Sequence, residues 1–422
     1  MLHLVGIIIA FIVIILLIRK QFNFGLSLML GALIIGIFSL QTIELIDIPK
    51  AFIEASIYSF EDQQLFTDTV ELALLMTLIY ILARCMQETG AIKQVINSLR
   101  TFFTKGGTLA VIPAVYGLMP VPGGALFSAP MIDEEGNKHH LDNNQKNFLN
   151  VWFRHIWFPI YPVSSAMILI CSAEFSNIDI YSLILVNIPS FLAMIGIGLI
   201  VLKRFVRHNH REQTQKTKKD ASGLIYLIPP LIPLLFYAAL QFFGVPQIRS
   251  FLIGVFVSIL LVFLLTHLSK EEYIQVIKKS LSVKLALAIF GIMIFREMFE
   301  VSGASMLLST IIGELPFPAL FIVILTPLVL GVFTGYNLAA IALSYFLVAP
   351  FFPLTGLNMV GITSLIFMGA FVGYLVSPIH LCNVLSSDYL KTDTTQMYRQ
   401  YIPAVLCLLA VQTLFLVLVF HV

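Results

Sequence analysis

Apolar residues in this chain gather into long runs separated by short polar segments. Runs close to the roughly 20 residues that cross a ~30 Å hydrocarbon core occupy 2–18, 22–40, 69–86, 148–170, 181–202, 224–243, 248–268, 284–299, 359–382 and 402–422. They predict an all-α polytopic membrane protein with about ten transmembrane helices. Two further apolar stretches, 107–132 and 317–352, are interrupted by Pro and Gly or by polar residues.

Charge in the connecting segments decides how those two stretches sit. Arg19 and Lys20 follow the first run, and Lys93, Arg100 and Lys105 follow the third. The segment between the second and third carries Glu44, Asp47, Glu54, Glu61, Asp62 and Asp68 against one lysine. Cytoplasmic loops are enriched in Lys and Arg, so the N-terminus is predicted outside an inner (cell) membrane. If 107–132 crossed, the most basic segment, 203–219, would face out. If it enters and leaves on the cytoplasmic side as a re-entrant hairpin, segments 203–219, 270–279 and 391–399 all face in. Irregular backbone is tolerated at membrane depth where protein or a water-filled cavity surrounds it, so the hairpin is admissible.

The one long polar linker falls at mid-chain, and the two sides of it repeat. Arg84, Met86 and Glu88 are matched in order by Arg296, Met298 and Glu300, Pro113 and Gly117 by Pro327 and Gly331, and Tyr161, Val163 and Ser164 by Tyr374, Val376 and Ser377. The predicted organisation is a first repeat (1–202), a basic cytoplasmic linker (203–222) and a second repeat (223–422). Five crossings plus a cytoplasmic-side hairpin invert the second repeat, whose own hairpin then dips from outside. Paired inverted repeats with broken segments are the architecture of secondary transporters.

Composition agrees with the membrane reading. Of 422 residues, 59% are hydrophobic and only 11% charged, with a mean hydropathy of +0.94. The first run lacks the basic flank and small-residue cleavage site of a signal peptide and is predicted to be a retained span. Cys85, Cys171, Cys382 and Cys407 show no CxxC spacing and read as small apolar fillers.

Candidate chemistry gathers at the interruptions. The first tip, 118–125, contains Pro120, Pro122, Gly123 and Gly124, which free peptide groups near mid-membrane, and Ser128 lies just beyond. The second tip offers Thr334, Gly335, Tyr336 and Asn337, side-chain oxygens and an amide around a glycine. The spans after each hairpin are themselves broken, by Pro159 and Pro162 near Ser164 and Ser165, and by Pro378 near Ser377 and His380. Arg154 and His155 could attract an anion or carry a proton, with snorkelling to the surface the competing account for Arg154. Arg84 with Glu88, and Arg296 with Glu300, stand at i and i+4 and read as self-neutralised pairs. The segment 133–140 (DEEGNKHH) reads as a solvated turn, and no metal site is expected. No Walker loop, nucleophile elbow or HExxH motif occurs, so neither ATP-driven pumping nor enzymatic activity is expected, and nucleic acid is not an expected partner.

At Pro120 to Pro130, and at Ser377-Pro378-Ile379-His380-Leu381-Cys382, the chain resembles a prokaryotic family of uncharacterised integral membrane proteins. That family is placed in the ion transporter superfamily with gluconate permeases, C4-dicarboxylate carriers, arsenite permeases and Na⁺/H⁺ antiporters. The resemblance implies two inverted repeats, each with a hairpin and a broken helix enclosing substrate and ion, and it allows a homodimer. Dicarboxylate carriers of the superfamily bear Ser-Asn-Thr at each tip, which this chain lacks, so neither dicarboxylate specificity nor a sodium requirement is implied. The expected function is ion-coupled symport of a small anionic organic solute across the bilayer, with H⁺ or Na⁺ as coupling ion and no cofactor. A Na⁺/H⁺ antiporter is the alternative; an intramembrane enzyme using His155 or His380, or a passive channel, has less support.

Overall fold

The computed structural model describes residues 2–103, 106–118, 123–207, 219–266, 268–313 and 317–420. It is helical almost throughout, with a single two-stranded β pair at Tyr58–Ser59 and Gln64–Leu65 among the described residues. The first repeat contains α1 (Leu2–Arg19), α2 (Phe24–Phe38), α3 (Asp47–Glu54), α4 (Asp68–Glu88), α5 (Ala91–Phe102), α6 (Thr108–Gly117), α7 (Ala125–Lys138), α8 (Asn143–Arg154), α9 (Ser165–Cys171) and α10 (Ile180–Arg207). The second contains α11 (Ile232–Leu240), led in by 3-10 turns from Ser222, then α12 (Gln247–Thr266), α13 (Lys270–Ser280), α14 (Val283–Val301), α15 (Ala304–Gly313), α16 (Ala319–Thr334), α17 (Asn337–Val348), α18 (Met359–Leu375), α19 (Leu381–Leu390) and α20 (Thr394–Phe420).

The two sets correspond one to one, and so does their packing. Helix α2 lies on α14 and α12 on α4; α3 lies on α14 and α13 on α4; α7 meets α19 and α17 meets α9. In each of these pairs the partners are exchanged between the two sets, as a two-fold relation would have it. Apolar helices gain little from burial in lipid, so close backbone approach must hold them together. Glycine supplies it. A Cβ on Gly25 of α2 would stand 1.9 Å from Leu287 O of α14, and one on Gly373 of α18 would stand 2.0 Å from Leu328 O of α16.

Among the described residues, seven helices are long and apolar enough to span a membrane. Six coincide with predicted spans; the seventh, Asn337–Leu354, is an arm of the predicted second hairpin, lengthened by a 3-10 turn and 72% buried within the protein. Other predicted spans miss that mark for physical reasons. Helices α2 and α18 have 15 and 17 residues, α14 carries Lys284, Arg296, Glu297 and Glu300, and 148–170 is divided between α8 and α9.

Both interrupted stretches return to the end at which they start. Before the first hairpin, Thr101 and Ser98 bond to the linker: Asp220 N donates to Thr101 Oγ1 at 3.0 Å and Gly223 N to Ser98 Oγ at 2.8 Å. Thr108, at the start of the first stretch, donates from Oγ1 to Glu135 Oε1, just beyond its end, at 2.8 Å. Before the second hairpin, α15 touches the 3-10 turn Ala349–Leu354 that follows it.

One expectation is corrected. Segment 133–140 is not a turn but the end of α7 and its cap. Asp133 and Asn137 lie one helical turn apart and hold the buried Lys146, whose Nζ is 2.8 Å from Asp133 Oδ1 and 2.6 Å from Asn137 Oδ1.

Candidate functional site where two broken helices meet

The first break, residues 155–164, follows α8 because Pro159 and Pro162 cannot continue a helix. The helix it packs against, α6, ends at the first hairpin tip with carbonyls that have no helical partner. Three side chains from around the break satisfy them. Trp157 Nε1 donates to Ala114 O at 3.0 Å, Arg154 Nη1 to Tyr116 O at 2.6 Å, and Tyr161 Oη to Leu118 O at 2.8 Å. Arg154 therefore does not snorkel. It is 4% exposed, and a Cβ on Gly124 would stand 2.0 Å from its Nη2.

The second break, residues 376–380, repeats the device with different chemistry. Ser377 Oγ donates to Val332 O near the end of α16 at 2.6 Å, and Asn383 Nδ2 reaches back over the break to Leu375 O at 3.0 Å. Both tips press on this segment. A Cβ on Gly335 would stand 2.7 Å from Ile379 Cγ1, and one on Gly123 would stand 2.7 Å from Leu385 Cδ1 and 3.2 Å from Leu381 Cδ2. Positive φ values of +60° at Gly335 and +71° at Gly123 turn the two tips, which a side chain would strain.

Three helices therefore begin beside one another: α7 after Gly124, α17 at Asn337 and α19 at Leu381. None has a side-chain N-cap. Beside these starts lie buried polar groups with unmet hydrogen-bonding capacity. Asn337 is 3% exposed, and neither its amide oxygen nor its nitrogen is bonded; both ring nitrogens of His380 and the side-chain oxygen of Asn383 also lack a bond of normal geometry. His155 caps α8 and spans the gap between repeats: its ring lies 4.8 Å from that of His380, and its Nε2 is 3.2 Å from Tyr374 Oη.

The predicted residues separate into two sets. Gly123, Gly124, Arg154, His155, Gly335, Tyr336, Asn337, Ser377 and His380 are at or beside the junction. Pro122 lies outside the described residues. Ser164 is the N-cap of α9, accepting from Met167 N at 3.2 Å, and Ser165 is the half-buried first residue of that helix. Thr334 donates to Leu330 O at 2.7 Å, a local helix bond. Ser128 belongs to a buried chain joining α7, α8 and α19, donating to Asn150 Oδ1 at 2.5 Å while Asn150 Nδ2 donates to Ser386 Oγ at 2.8 Å. Arg84 pairs with Glu88 at 2.8 Å and Arg296 with Glu300 at 3.4 Å, as their spacing predicts, and Arg296 also meets Glu174.

From sequence Cys382 counts as filler, yet it lies against both histidines. Tyr374, Asn150 and Asn383 were likewise unmarked as site residues. The available signals were the His-x-Cys spacing of His380 and Cys382 and asparagines inside apolar runs.

A cavity of about 570 Å³ lies elsewhere, between α5, α6, the first break, α10 and the segment 227–234. Its lining, including Leu99, Val111, Trp157 and Leu234, is almost wholly apolar and suits acyl chains better than a charged solute.

Residues 2–420 match the model of the family described as protein of unknown function (DUF401). The chain belongs to the DUF401 family. No curated protein matches it. In this DUF401 protein the assignment of a role rests on the junction itself.

Proposed function

We propose that the protein is a secondary transporter of a small anionic organic solute, coupled to H⁺ or Na⁺ and working by alternating access. The observation that carries this reading is the convergence of three uncapped helix N-termini on one junction, beside the unbonded amide of Asn337. Helix N-termini present free N–H groups and the positive end of the helix dipole, which favour an anion. The buried guanidinium of Arg154 adds a full positive charge in surroundings that screen it little. Two packed repeats around such a site can exchange conformations and open it to either face.

Contacts between loops agree with the predicted topology. Thr101 and Asp220 touch, as expected if 107–132 is a hairpin that returns to the side from which it enters. Bonds between Glu71 and Arg249 and between Asn144 and Gln396 likewise join segments placed on one side by loop charge. A Na⁺/H⁺ antiporter would need a carboxylate at depth; among the described residues no Asp or Glu is fully buried. The ion transporter superfamily remains the placement that the tip motifs favour.

A thermal-shift screen of the purified protein against carboxylates, sugar acids, sulfonates and oxyanions, with and without Na⁺, tests the reading. A ligand of the folded state raises stability by about 2.7 kcal/mol at a hundred times its Kd. At least one anion is expected to raise the melting temperature of the unaltered protein and to lose that effect in Asn337→Ala, whose own melting temperature is unchanged or higher. No shift with any anion, or an undiminished shift in Asn337→Ala, would overturn it.

A further inference from the structure

Solute binding leaves three groups at the junction unexplained: the thiol of Cys382 and the imidazoles of His155 and His380. All three residues are buried, and their ligand atoms lie within 4.8 Å of one another. Donors around a metal bound at about 2.0–2.3 Å stand roughly 3.5 Å apart, so small side-chain rotations close this set on one ion.

Two independent features point to a ligand. The ring of His155 is already set for coordination. Its Nδ1 is 2.7 Å from Val151 O, which can only accept, so Nδ1 carries the proton and Nε2 presents its lone pair. A metal-bound histidine is held the same way, by its other nitrogen donating to a carbonyl. Tyr374 Oη donates to that Nε2 at 3.2 Å, and rotation about its C–O bond frees the lone pair. His380 supplies the second feature: it is wholly buried and neither ring nitrogen has a hydrogen bond of normal geometry, a cost that a metal–nitrogen bond removes.

We propose that His155, His380 and Cys382 form a three-coordinate site for one Cu⁺ ion. Two imidazoles and a thiolate are soft or borderline ligands, and among the described residues no carboxylate joins them to suit a hard cation. Charge selects among the soft ions. One thiolate neutralises Cu⁺, whereas Zn²⁺ would leave a net positive charge buried beside Arg154 and would seek a fourth ligand. Binding forms the S–Cu bond, releases the thiol proton and changes no oxidation state. His155 comes from the first repeat and the other two ligands from the second, so the ion fastens the repeats to each other. The site stands on these residues alone; if the transport reading holds, an occupied site stops the two breaks from moving apart.

Full-length protein in detergent, titrated anaerobically with Cu⁺ against a colorimetric Cu⁺ chelator, tests the site. One Cu⁺ is expected to be retained per chain, with X-ray absorption reporting one sulfur and two nitrogen neighbours. Cys382→Ser and His380→Gln are each expected to weaken retention at least tenfold, while Ala at Cys85, Cys171 and Cys407 together leaves it unchanged. Failure to retain Cu⁺, a copper shell without sulfur, undiminished retention in Cys382→Ser, or preferential uptake of Zn²⁺ would overturn the proposal. The absorption spectrum of the unaltered protein decides the matter even if a variant fails to fold. Loss of solute binding without loss of copper, or the reverse, separates this site from the transport reading.

Discussion

At the scale of single residues, side chains that look alike in sequence have separate tasks. Ser164 and Ser377 occupy matched positions in the repeat, yet one caps α9 and the other ties the second break to α16. Their difference follows from which carbonyls the neighbouring hairpin leaves free, a tertiary fact that no local pattern carries. The glycines were legible as turns, but the guanidinium pressed on Gly124 was not. Gly124→Ala puts a methyl group 2.0 Å from Arg154 Nη2 and should destabilise the protein by about 1–3 kcal/mol, measured as a lowered melting temperature in detergent. Gly90, with no atom within 4 Å of a built Cβ, is the control: Gly90→Ala should pay only for its positive φ of +77°.

At the scale of elements, the sequence announced where helices end better than how they are held. Pro159, Pro162 and Pro378 made both breaks visible. In sequence Asp133, Glu134 and Glu135 look like a solvated turn that ends α7 early; in the fold Asp133 faces buried Lys146, and Glu135 accepts from Thr108 Oγ1 at 2.8 Å. Burial pushes the Glu135 carboxyl up, but the hydrogen bonds and charges of Lys138, Thr108 and Arg100 outweigh it and hold the group below its ordinary value. A depressed folded-state value means stability that is present above the unfolded carboxylate range and is lost as pH falls through the folded value. Glu135→Gln should therefore melt lower than the unaltered protein at pH 7, with the gap closing in acid. Melting curves across pH check this; a gap that widens in acid would contradict it. Helices α16 and α18 meet through Gly369 and Gly373, so Gly373→Val should separate the hairpin arm from its neighbour and cost several times more stability than Gly196→Val, where a built Cβ meets nothing within 4 Å.

At the scale of the whole molecule, the repeat was the most legible feature, because a duplicated fold keeps its breaks in register even when its chemistry diverges. Matched positions such as Gly117 and Gly331 both prove to be places where a helix lies on the backbone of its neighbour, Arg154 O in one repeat and Ala370 O in the other. The meeting of His155 with His380 and Cys382 was not legible, since it depends on how the two repeats interlock and not on either alone. That interlocking is the physical basis that the proposed alternating access requires. The decisive measurement is uptake into proteoliposomes under an imposed H⁺ or Na⁺ gradient, using the anion selected by thermal shift. Gradient-dependent accumulation that falls at least tenfold in Asn337→Ala, with expression and melting temperature retained, is the expected result. Exchange of Na⁺ for H⁺ without movement of any organic anion would contradict the account.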